Sequence, residues 1–146
     1  MTTTTWRRGL AVAALVPLLA GVSACGSDSK SSSTTADTKA CGTLPTADPA
    51  AKLPPGFPDR DQVLYEPSVQ GKTTIVYGLV DESSFLDVRD DYATKLKAAG
   101  WTIDGTDQES VEAEAQFSKA SPLQTGTIKV QPLCKGHVTI RYKLNQ

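Results

Sequence analysis

Apolar residues are distributed along this chain in three ways. From Leu10 to Val22 they run almost without interruption. From Gly26 to Ala40 large apolar side chains are missing. Beyond Cys41 they recur at regular intervals, and the interval changes with position. In Thr73–Val80, Ile75, Tyr77 and Leu79 fall on one face and Val76 and Val80 on the other. This is period two, and apolar residues on both sides predict a central strand. Gln62 to Glu66 predicts a shorter strand before it, ended by Pro67, with Ser68 to Lys72 as the turn of a hairpin.

After Asp81 the period lengthens. Phe85, Val88, Tyr92, Leu96 and Ala99 recur at steps of three and four, with Leu86 and Ala93 widening the stripe. That spacing predicts an amphipathic helix. Ser84 followed by Asp87 is an acidic variant of an N-terminal capping box. Asp91 and Lys95 stand at i,i+4, and acids precede lysines, which suits the helix dipole. Gly100 is the expected left-handed C-cap, with Trp101 packing back over the last turn.

The remainder reads as strands. Trp101 to Asp104 or a little beyond is one, followed by a polar, turn-like Gly105 to Glu109. Val111, Ala113, Ala115 and Phe117 alternate with Glu112, Glu114 and Gln116, predicting a half-buried strand with an acidic outer face. Ser118 to Gly126 is expected as a loop, Thr127 to Gln131 as a strand ended by Pro132, and Lys135-Gly136 as a tight turn. Val138, Ile140, Tyr142 and Leu144 then alternate with His137, Thr139, Arg141 and Lys143. The predicted order is β-β-α-β-β-β-β. One helix cannot make a bundle, so the fold class is α+β: a twisted antiparallel sheet with one long helix across a face and a meander after the helix. A small barrel or roll closing around the helix is the alternative. Gly42 to Arg60 holds five prolines and forms neither helix nor central strand. Leu44, Leu53 and Phe57 would pin it across the domain surface, and its Leu53–Pro58 stretch lacks the basic neighbours of a polyproline ligand.

The leader changes the picture from fold to address. Arg7 and Arg8 precede the apolar run, which has the length of a signal h-region and is too short for a relaxed spanning helix. Val22-Ser23-Ala24-Cys25 follows, and it resembles the lipobox of bacterial lipoproteins. The resemblance implies cleavage before Cys25 and a diacylglycerol thioether on its sulfur, with a further acyl chain such as palmitate on its amine. Two or three chains suffice for stable anchoring. Leader and composition resemble small lipoproteins of high-GC Gram-positive bacteria. The implied location is the outer face of the cytoplasmic membrane, with lipid as a partner through Cys25. Arg7-Arg8-Gly9-Leu10 also resembles a twin-arginine export signal, although the general secretory route is the expectation. The domains are then 1–24 as signal peptide, 25–40 as lipidated cysteine and flexible Ser/Thr-rich linker, and 41–146 as one α+β domain.

Charge and cysteines narrow the chemistry. The 15 basic residues include Arg7 and Arg8, so the mature chain keeps 13 against 16 acids, a net charge of −3. This weighs against nucleic acid as a partner. With Cys25 lipidated, Cys41 and Cys134 remain, and an exported pair is most simply a disulfide. Two free thiols, or a metal site formed with His137, is the alternative; two cysteines and one histidine are too few for an ordinary all-protein zinc site. His137 has no neighbouring nucleophile motif, the acids near the helix start lack EF-hand spacing, and no Gly-rich loop suggests a nucleotide. No catalytic residue, cofactor or metal is expected. Lys129, His137, Arg141 and Lys143 form a basic strip on the sheet's outer face, a candidate surface for a cell-envelope protein. If the Glu112 and Glu114 strand is adjacent, the two strips pair instead. A carrier with an apolar pocket lined by Leu79, Tyr92 and Trp101 is the alternative function, with a hydrolase built on His137 behind it.

Overall fold

The computed structural model describes residues 39–82 and 84–145. The leader, Cys25, most of the linker and Ser83 lie outside the described residues. β1 (Val63–Gln70), β2 (Thr73–Val80), α1 (Phe85–Ala98), β3 (Thr102–Gln108), β4 (Ala113–Ala120), β5 (Leu123–Cys134) and β6 (His137–Asn145) follow in the expected order. The strands form one antiparallel sheet, β1-β2-β6-β5-β4-β3. The part after the helix is the expected meander, and β6 returns to pair with β2. Among the described residues no helix is long and apolar enough to cross a membrane.

The helix is specified locally. Ser84 Oγ accepts from the Asp87 backbone N–H at 3.2 Å. At the other end Gly100 adopts φ +79, a conformation that costs a residue without Cβ little. Its N–H donates to Lys97 C=O, and the Trp101 N–H donates to Leu96 C=O. That pair of bonds is the Schellman arrangement, and it carries Trp101 back onto the core. Asp91 and Lys95 pair at 3.0 Å as their spacing implies.

Four boundaries differ from expectation. β1 does not end at Pro67; a bulge between Tyr65 and Ser68, with Glu66 at φ 46, lets it continue to Gln70. Proline is tolerated there because β1 is an edge strand and its outward N–H side needs no partner. β5 likewise passes Pro132, which pairs only with Val138 because β4 has already ended. The expected loop over Ser118–Gly126 contracts to Ser121-Pro122, joined by a cis peptide, because Ser118, Lys119 and Ala120 pair with Thr125, Gln124 and Leu123. Gly105–Gln108 is strand rather than turn, entered through a bulge between Ile103 and Gly105. Val111 is 52 % exposed, not inward, since Glu109 N–H closes a turn onto Glu112 C=O.

The helix packs over β3, β4 and β5. The rest of that sheet face is closed by the proline-rich arm. Asp48 N–H donates to Leu64 C=O on the β1 edge, Ala51 is buried, and Phe57 enters between helix and sheet at 8 % exposure. Its ring lies 5.5 Å from Phe117, 5.7 Å from Trp101, 5.8 Å from Tyr142 and 6.5 Å from Tyr92. Edge-on and tilted rings at these distances add to the area they bury. Phe117 itself needs Gly126: a Cβ there would lie 2.5 Å from its ring and 2.6 Å from Lys143 C=O. Beside Phe57 the Tyr142 hydroxyl is shared between Gln62 Oε1 at 2.7 Å and the Tyr92 hydroxyl at 2.5 Å. Burial pushes both phenols above the ordinary tyrosine range.

Phe57→Ala should cost about 3–5 kcal/mol by urea denaturation, because four rings lose their common neighbour. Val69→Ser, at a position 72 % exposed, should change stability by less than about 0.5 kcal/mol. The phenols set a pH dependence. Their folded pKa values lie above the unfolded value of 10.0, so their stabilisation is complete below that pH and is lost as pH rises through the folded values. Urea midpoints should therefore fall above about pH 10, and Tyr142→Phe should make the fall shallower.

Candidate interaction face

The sheet face away from the helix carries the residues singled out for a partner. One row across it runs Tyr65, Tyr77, Arg141, Lys129, Glu114 and Asp107 on β1, β2, β6, β5, β4 and β3. Strand order alone puts aromatic residues at one side, cations in the middle and acids at the other.

The middle is divided. β4 is adjacent to β5, so the acidic strip pairs with Lys129: its Nζ lies 2.7 Å from Glu112 Oε1 and 2.8 Å from Glu114 Oε1. Hydrogen bonds to Glu112 and then Glu114 raise the lysine pKa well above its ordinary value. Gln131 Nε2 donates to the second Glu112 oxygen at 2.8 Å. His137 is also engaged, with Nδ1 2.8 Å from Asp81 Oδ1 but without the alignment of a hydrogen bond. Arg141 and Lys143 stand one strand further from the acids, and neither has an ion pair among the described residues. The Arg141 Nε is buried and unpartnered. Of the four predicted surface residues, Lys129 and His137 thus have a carboxylate beside them within the domain, and Arg141 and Lys143 have none among the described residues.

Beside the free pair, Tyr65 and Tyr77 stack at 5.6 Å with 27° between planes. The Tyr65 hydroxyl and Thr139 Oγ1 share a hydrogen bond at 2.8 Å, and burial raises that phenol's pKa. Tyr77 pairs in register with Arg141 and Ile75 with Lys143. Tyr77 was not legible from the sequence as part of this neighbourhood, because it meets β6 only through the sheet order.

The other candidates resolve differently. Tyr92 and Trp101 surround Phe57, whereas Leu79 lies on the opposite face beside Val63 and Thr139, so the three line no common cavity. The acids at the helix start have cationic neighbours: Arg60 bonds both Asp91 and, at 3.1 Å, Glu82, while Arg89 holds Asp90 at 2.6 Å. A surface cleft of about 680 Å³ lies there, with Arg60, Gln62, Asp87 and Lys95 among its walls. Arg60 thereby latches the arm to the helix, a role no local signal announced. Cys41 and Cys134 are joined in a disulfide with Cα atoms 5.0 Å apart. The Lys135 N–H donates to Lys39 C=O at 3.2 Å, holding the start of the arm at the β5–β6 turn.

Lys129→Ala should cost about 1 kcal/mol, because it leaves Glu112 and Glu114 half-buried beside each other without a cation. Glu112→Gln in the same chain should recover part of that loss. Lys143→Ala should change stability by less than about 0.5 kcal/mol, and urea denaturation of the three variants separates the two kinds of lysine.

No family model matches the chain, and neither a curated protein nor a solved structure matches it significantly.

Proposed function

We propose that this chain is an exported lipoprotein, tethered by lipid on Cys25 to the outer face of the cytoplasmic membrane, whose domain is a non-enzymatic protein-interaction module. The tether rests on the order of charge, apolar run, lipobox and polar linker in residues 1–40. The observation that carries the module is the contrast between interior and exterior. The helix–sheet interior is occupied by Phe57 packed against four aromatic rings. Outside, Arg141 and Lys143, which have no ion pair among the described residues, lie on β6 beside Tyr77. Arginine and tyrosine are the residues in which binding energy concentrates at protein interfaces, and two unpaired cations favour an acidic partner surface.

Mass spectrometry of the mature N-terminus should find a diacylated Cys25, and an unmodified cysteine would refute the anchor. Crosslinking in intact cells should capture a reproducible envelope protein. Arg141→Glu with Lys143→Glu should abolish that capture, and Lys143→Glu alone, at an exposed position, should weaken it while leaving the unfolding free energy within about 0.5 kcal/mol of the parent. Recovery of only a lipid or metabolite would overturn the module in favour of a carrier.

A further inference from the structure

The β5–β6 turn gathers more chemistry than a disulfide needs. Cys134 and His137 are partners in register, separated only by Lys135-Gly136. The arm brings Cys41 to the same point from the far end of the domain. The two sulfurs and one imidazole nitrogen all lie within 4.8 Å of one another. Behind the ring, Asp81 Oδ1 is 2.8 Å from Nδ1, and that nitrogen is buried without an aligned partner. A cysteine and a histidine with two residues between them on a tight turn converge their donors, and a carboxylate behind the imidazole is how metal-ligating histidines are commonly held.

We propose that Cys41, Cys134 and His137, with Asp81 orienting the imidazole, form a thiol-dependent site for a thiophilic divalent cation of the zinc class. The disulfide and the metal-bound form are alternative states of one cluster. A thiol reductant breaks the S–S bond by exchange: its two thiols become a disulfide, and Cys41 and Cys134 take up the two electrons and two protons. Cation binding then displaces those two protons to solvent, since the thiolate is the ligand. Two sulfurs and one nitrogen suit zinc, and three protein donors leave a fourth position for water or an external ligand. The site does not depend on the lipid anchor or on the Arg141 face.

The test uses the mature chain with Cys25 replaced by Ser, reduced by a phosphine and exchanged without oxygen into reductant-free buffer. Titration with Co²⁺ should give thiolate-to-cobalt charge transfer and the intense visible bands of tetrahedral coordination, saturating at one equivalent and bleached by Zn²⁺. The oxidised protein should give neither. Asp81→Asn should weaken binding about 10- to 100-fold, and His137→Ala should weaken it further. Because reduction also removes a cross-link, urea midpoints of the reduced protein are measured with and without Zn²⁺, and the cation should raise them. Absence of saturable binding overturns the site, as does binding indifferent to both variants or a reduced chain that zinc fails to stabilise.

Discussion

One side chain decides how the two halves of this domain meet. The helix packs over β3, β4 and β5 and meets β6 through Tyr92 against Tyr142, so the sheet face over β2 needs another cover. The proline-rich arm supplies it, and Phe57 is the point at which arm, helix and sheet share one aromatic contact. The prolines keep the arm extended and lower the entropy lost when it docks. Arg60 on the helix side and Gln62 over Gly78 then fix the direction in which the chain enters β1.

With the interior packed this way, the outer sheet face is where Arg141 and Lys143 lie without an ion pair among the described residues. There the register sets which charges remain available. A single strand, β5, separates the acids of β4 from Arg141 and Lys143, and its Lys129 satisfies those acids first. Both edges are also guarded. β1 carries a bulge and Pro67, and β3 carries a bulge with Asp104 and Asp107, devices that discourage edge-to-edge pairing.

What could be read from the sequence follows the range of the interactions. The helix, Ser84 at its start and Gly100 at its end depend on residues within a few positions, and all were legible. The alternation in β2 and β6 was equally plain, as was the order of elements. Boundaries failed at Pro67, Pro132 and Ser118–Gly126, where neighbouring strands carry pairing through residues with poor strand patterns. The cysteine pair was legible from counting. Phe57 was legible as a pin but not as the centre of the core. Lys129 with Glu112 and Glu114 was legible as the pairing that follows once the two strands are neighbours, whereas Arg60 with Glu82 and Asp91, and His137 with Asp81, were not, because each requires the register between distant segments.

The position of the Cys41–Cys134 bond has a mechanical consequence. A force applied upstream of Cys41 has two routes into the domain: along the arm toward Phe57, or through the two sulfurs into β5. The covalent route is the stiffer, so tension passes into a strand hydrogen-bonded to both β4 and β6. The arm downstream of Cys41 stays slack under that load. Phe57 and the contacts around it therefore need not bear that load, since drag on the chain's leading end passes into the sheet.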